Sequence, residues 1–266
     1  MNQPNIIGQF SHFALARMDS TVHGQIEYFD NYKDATSFLR VMLPDPKWSF
    51  PSNSTESNVL QVINNFLGGQ CGAKLLILLK RYPNIELSDV TSKLRLHHSY
   101  PWVICSLTPS GGRGKRIMYD LTTATNGLFS YKTDELFYEA QDFFGVLLNP
   151  YLIYATNPVV SGIGSLRLPS MTVPKSGYYK VIMTIRDHAD WTPGNSGILR
   201  WVYGFQEGHY LNFTSSHTVQ NDISMDYNLG NHVFSMTLDY NYTDTEILQI
   251  RVYGTEPIDY WIPYDL

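Results

Sequence analysis

A chain of 266 residues, 43% hydrophobic and only 16% charged, is long enough to bury a core without disulfide staples and too apolar to be disordered. Its formal charge of −5 falls after Tyr151, where six Lys and Arg face eleven acidic residues; such a surface does not displace counterions from phosphate, which excludes nucleic-acid coating. Two cysteines, Cys71 and Cys105, are too few for a disulfide scaffold and lack the paired spacing of a zinc site.

The N-terminus, Met1 to Gly8, has neither the basic region nor the apolar core of a secretory signal, and no apolar run is long enough to span a bilayer. The reading is a soluble protein made in the cytoplasm, without membrane insertion. On that reading the sequons at Asn53, Asn212 and Asn241 are chance matches.

From Ile6 to Phe29 the pattern predicts two strands around a polar corner at Asp19 to Thr21. Asp30 and Asn31 offer caps to a helix running from about Lys33 to Leu43 and stopped by Pro44. Val59, Leu60, Val62, Ile63, Phe66 and Leu67 recur at helical spacing between Thr55 and Gly69. Ala73 to Leu79 is a continuous apolar run, core as strand or helix. Lys93 to Leu96 and Trp102 to Leu107 read as strands on either side of a His97-His98 corner.

The cluster Ser110-Gly-Gly-Arg-Gly-Lys-Arg116 invites a phosphate-loop reading, but Pro109 stands where the first glycine of that motif belongs and Arg116 where its hydroxyl belongs. The expectation is therefore an exposed basic hairpin tip, carried by Arg113, Lys115 and Arg116, that joins the strand ending at Leu107 to one at Ile117 to Leu121. Thr133 opens a second helix with Leu136, Phe137, Ala140, Phe143, Phe144 and Leu147 on its apolar face, stopped at Asn149-Pro150.

Beyond Asn157 helical patterning does not return. Alternation recurs along Tyr178 to Arg186, Leu199 to Phe205, Phe234 to Tyr240 and Leu248 to Val252, punctuated by turn clusters. The fold class is thus an α+β N-terminal domain, residues 1–155, for docking or assembly, followed by an all-β jelly-roll sandwich, residues 156–266, for interaction. On Tyr178 to Arg186 the face of Tyr179, Val181, Met183 and Ile185 is assigned to the core and the other face to water.

Val173-Pro174-Lys-Ser-Gly177-Tyr178-Tyr179, followed by its alternating strand, resembles the corner of tumour-necrosis-factor-like and complement-globular-head-like jelly rolls. Asp244 to Val252 is similar to the strand that follows a short acidic turn in that group. The chain departs from it in having no collagen-like stalk, a different C-terminal pattern and a foreign N-terminal half. The resemblance, which extends to viral and phage surface proteins, implies a two-sheet domain that assembles as a homotrimer and binds partners with its outer loops.

Chemistry is sparse. His188, His209, His217 and His232 form no His-x-His pair, Gly194 to Gly197 lacks the setting of a nucleophilic serine, and nothing places Asp187 and Asp190 across a cleft. No cofactor, metal ligand set or catalytic residue is assigned. The candidate contact residues for a partner or glycan are Trp191, Tyr210, Tyr227, Tyr242, Tyr260 and Trp261, since aromatics give contact area at low entropic cost. The functional expectation is a non-enzymatic virion or phage structural protein, its partners being other copies, other virion proteins and a host-surface glycan or protein. The alternatives are a cellular carbohydrate-binding module or lectin, and a hydrolase using His97 or His98.

Overall fold

Continuous apolar strands suit a sheet buried on both faces, and the first half is built on one. In the computed structural model, which describes residues 10–21, 25–42, 45–68, 71–84, 88–137, 149–185, 195–204, 208–214 and 222–264, strands β3 (Lys74–Leu79), β4 (Tyr100–Ser106) and β5 (Leu128–Lys132) pair in parallel in that order. Parallel neighbours need crossovers, and α3 (Ser88–Leu96) and α4 (Ile117–Ala124) supply them. Ahead of this unit lie the short antiparallel pair β1 (Phe13–Leu15) and β2 (Glu27–Phe29), then α1 (Tyr32–Val41) and α2 (Val59–Phe66). Asn31 caps α1 by accepting from the Asp34 N–H at 2.9 Å.

Two expected strands are helices. Lys93 to Leu96 is the last turn of α3, because Val90 and Leu94, four residues apart, are the positions that reach the core. Ile117 to Leu121 opens α4, whose buried Met118, Tyr119, Leu121 and Thr122 give helical rather than alternating burial. There is accordingly no hairpin at Ser110 to Arg116; that loop joins a parallel strand to a helix. The helix expected from Thr133 starts as a 3-10 turn over residues 134–137, and its remainder lies outside the described residues.

The second half is a jelly-roll-type β-sandwich. Its strands are β6 (Tyr151–Thr156), β7 (Val159–Thr172), β8 (Gly177–Ile185), β9 (Ser196–Val202), β10 (His209–Thr214), β11 (Asp222–Leu229) and β12 (Val233–Gly254). The long β12 serves both sheets. Its first part pairs with β9 and β7, its last part with β8 and β6, and the register shifts between Tyr242 and Glu246 where it passes from one sheet to the other. The sheets are therefore β10-β9-β12-β7 and β11-β8-β12-β6, all antiparallel. Val181, Met183, Leu199, Trp201, Met236, Leu238, Ile250 and Val252 fill the space between them.

The outer face of β8 is wet only at its start, at Tyr178; Ile182 and Thr184 are buried. Ile182, Leu152 and Tyr253 pack against Tyr100, Trp102, Ile104 and Leu128 of the parallel sheet, so the α/β unit covers the β11-β8-β12-β6 sheet. Gln249, Arg251 and Lys132 find their partners across the junction. Gln249 accepts from the Phe129 N–H and donates to Thr122 and Thr123, while Arg251 donates to the carbonyls of Gly127 and Thr156 and to Asn157 Oδ1. Lys132 meets Asp222 at 3.1 Å. The C-terminal tail seals one margin, with Asn126 Nδ2 donating to the carbonyls of Ile262 and Pro263.

Candidate functional site

In open parallel sheets ligands collect at the carboxyl ends of the strands, where the glycine loop lies. Its amides, however, are spent internally. Ser110 N–H donates to Lys80 O, Gly112 N–H to Asn53 O, Arg113 N–H to Asn84 Oδ1 and Gly114 N–H to Pro83 O. Gly112 adopts φ +75°, and a Cβ there would lie 1.8 Å from Tyr82 O. The glycines thus let the loop press onto the Lys80 to Asn84 segment and leave no cradle for phosphate. Arg113 and Arg116 are exposed and Lys115 half-buried, its ammonium 5.8 Å from the Tyr131 ring centroid.

Lys80, Ser106, Thr108 and Asp134 form a polar cluster beside this loop. Lys80 pairs with Asp134, Ser106 Oγ donates to Asp134 at 2.7 Å, and hydrogen bonds from Lys80 and then Ser106 hold Asp134 below the usual carboxylate range. A serine nucleophile needs access and a neutral base. Ser106 is fully buried and Lys80 is paired with Asp134, so the cluster ties the ends of β3, β4 and β5 together.

At the opposite ends of those strands, His97 Nδ1 lies 3.5 Å from Cys71 Sγ, and His98 stacks flat on Trp261 with centroids 4.4 Å apart. Trp261 thus contacts the chain's own α/β layer through one ring face and remains 52% exposed. Tyr242 is corrected: at 1% exposure it belongs to the sandwich core, because its strand turns it inward near the crossing of β12. Trp191, with Asp187, His188 and Asp190, lies outside the described residues. Tyr260 is exposed on the tail.

Tyr210 and Tyr227 are brought together, in different roles. Tyr227 stands edge-on to Trp201 at 4.7 Å and donates its hydroxyl to Tyr210 O at 2.6 Å, closing the gap between edge strands β10 and β11. Tyr210, so anchored, remains 59% exposed. Cross-strand partners share a face, and the register aligns Tyr210, Arg200, Thr237 and Arg167 in one row across the β10-β9-β12-β7 sheet. Four strands at the usual spacing make this row about 14 Å long. The next row is Asn212, Ile198, Asp239 and Ser165. Arg200 Nε donates to Asp239 Oδ2 at 3.1 Å, and hydrogen bonds from Ser165 and then Arg200 keep the Asp239 carboxyl below its ordinary range.

This is the sandwich's open face. Sequence reasoning singled out Tyr210 but missed Arg167, Arg200 and Asp239, whose signal was their place next to the core positions Leu168, Leu199 and Leu238, hence on the opposite, outward face of each strand. At one end of the same sheet, Tyr203 stacks on His232 with centroids 3.8 Å apart.

The fold and this face together define a jelly-roll-type β-sandwich with one sheet buried under an α/β layer and one presented outward. The model of a family described as "Domain of unknown function (DUF7154)" matches residues 156–255. No curated protein matches the chain. Similar solved structures include the carbohydrate binding module CBM6cm-2 from Cellvibrio mixtus lichenase 5A in complex with cellotriose, at 13% identity over 41% of this chain and 93% of that one, TM-score 0.27. They also include the C-terminal domain of A223, a structural protein from sulfolobus turreted icosahedral virus, at 19% identity over 39% and 95%, TM-score 0.25. The PRD1 vertex protein P5 is similar at 17% identity over 38% and 73%, TM-score 0.27. Among the described residues no helix is long and apolar enough to cross a membrane.

Proposed function

We propose that the chain is a non-catalytic recognition protein whose open sandwich face binds glycan. The observation that carries this reading is the row on that face: an exposed, backbone-anchored Tyr210 beside Arg200, which Asp239 holds in place. A tyrosine ring offers a flat apolar surface to the C–H face of a sugar, and neighbouring planar polar groups take the ring hydroxyls; such sites fix orientation with few polar groups. The α/β layer acts as rigid backing that leaves only one sheet available. Calorimetric titration of the full chain against a panel of soluble polysaccharides tests it. Binding to at least one of them, lost in Tyr210→Ala with the melting temperature unchanged, is expected; a panel with no binder, or a binder indifferent to Tyr210, overturns it.

A second reading, a virion or phage surface protein assembling as a homotrimer, is favoured by exposed apolar side chains on the edge strand of the same sheet. Val159 and Ile163 of β7 are exposed, and edge strands with apolar residues pair readily with further copies. Absolute molar mass in solution tests this reading. A trimer that dissociates in Ile163→Lys supports it, and a monomer at high concentration sinks it.

A further inference from the structure

We infer that the glycan accepted by the open face is anionic, its acid group held between Arg200 and Arg167; this rests on the reading just given and names its ligand class. The two arginines flank Thr237 in one cross-strand row, on β9 and β7, so their guanidinium groups rise from the same face two strand spacings apart. Asp239 is the one carboxylate in that row or the next, and it is already bonded to Ser165 and Arg200. It takes Arg200 Nε and leaves the two terminal nitrogens of that guanidinium without a partner among the described residues. Arg167 is exposed and has no partner among the described residues. A local positive patch on an otherwise acidic half selects for negative charge, and a guanidinium fork matches a carboxylate or sulfate through two parallel hydrogen bonds. Tyr210, at the end of the row, supplies the stacking surface that an acidic peptide lacks a sugar ring to use.

The experiment titrates the full chain with polygalacturonate, dextran sulfate, unmodified dextran and poly-glutamate, and repeats the series with Arg167→Gln, Arg200→Gln and Tyr210→Ala. The expected result is binding to one or both acidic polysaccharides that weakens as salt rises, with about tenfold loss for each arginine variant. Preference for polygalacturonate identifies a carboxylate ligand and preference for dextran sulfate a sulfate ligand. Binding to the neutral dextran as tight as to the acidic chains overturns this inference and leaves the glycan reading standing. Binding to poly-glutamate that equals the acidic polysaccharides and ignores Tyr210→Ala overturns both. Absence of binding to all four probes overturns the inference, while the broader panel decides the glycan reading separately.

Discussion

On the proposed reading Arg200 makes an effective contact, because part of its cost is met before any ligand arrives. An arginine loses several rotatable bonds when it is immobilised, and Asp239, itself fixed by Ser165, has already taken that freedom from it. Asp239→Asn should therefore weaken ligand binding by about three- to tenfold while scarcely moving the melting temperature, since exposed pairs add little stability. The sign with pH follows from the depressed Asp239 carboxyl. Its contribution is fully present above the ordinary aspartate value, and is lost as pH falls through the lower folded value. Binding measured downward from neutrality should hold to about pH 4 and weaken only below it. Lys74 gives the same sign for the opposite reason, its charged form being penalised rather than held. Burial pushes its ammonium down to about 7, and the contact it makes is with the Tyr100 ring at 3.9 Å. The folded chain then binds fewer protons than the unfolded one between about pH 7 and the ordinary lysine value, so stability rises across that window. Lys74→Met should raise the melting temperature at neutral pH and flatten the rise seen in the parent on going to pH 10, by calorimetry at stepped pH.

The elements show where patterning is informative and where it stops. Along β12, Leu248, Ile250 and Val252 alternate with Gln249, Arg251 and Tyr253, which reads as core against solvent and is core against a second layer. Alternation reports which side chains share a face; it cannot say whether a polar face meets water or a set of waiting carbonyls and amides. The same limit hid α3, because Lys93-Leu-Arg-Leu96 mimics a strand and only Val90 with Leu94 shows the helical spacing. Tyr210 was legible as an aromatic in excess of core needs, whereas its arginine neighbours come from strands β9 and β7, far apart in sequence and joined only by register. Gln249→Leu should cost about 2–3 kcal/mol, because it leaves the buried Phe129 N–H and Thr184 hydroxyl without their acceptor. Gly112→Ala strains a left-handed position and drives a methyl group into Tyr82 O, so a drop in stability of several kcal/mol is expected by urea unfolding. Ligand affinity of the fraction that folds should stay at the parent value, since the loop and the open face lie in different layers.

At the scale of the whole molecule, the two halves share a buried layer and so should not behave as beads on a string. Leu152, Ile182, Tyr253 and Ile262 of the second half are buried against Tyr100, Trp102, Ile104 and Leu128 of the first, and each large side chain so placed contributes about 1.5–3 kcal/mol. Removing the first half exposes that set together with Gln249 and Arg251, a loss comparable with the 5–15 kcal/mol by which ordinary domains are stable. The full chain should accordingly melt in one calorimetric transition, with near-ultraviolet and far-ultraviolet signals coincident. A fragment spanning residues 151–266, which keeps every sandwich strand, should bind a hydrophobic dye and lack a cooperative melt. Ile182→Thr with Tyr253→Thr in that fragment should reduce dye binding, because the exposed patch is what the substitutions remove. A fragment that melts cooperatively near the full chain's midpoint would show instead that the sandwich stands alone and that the junction is a contact between independent domains.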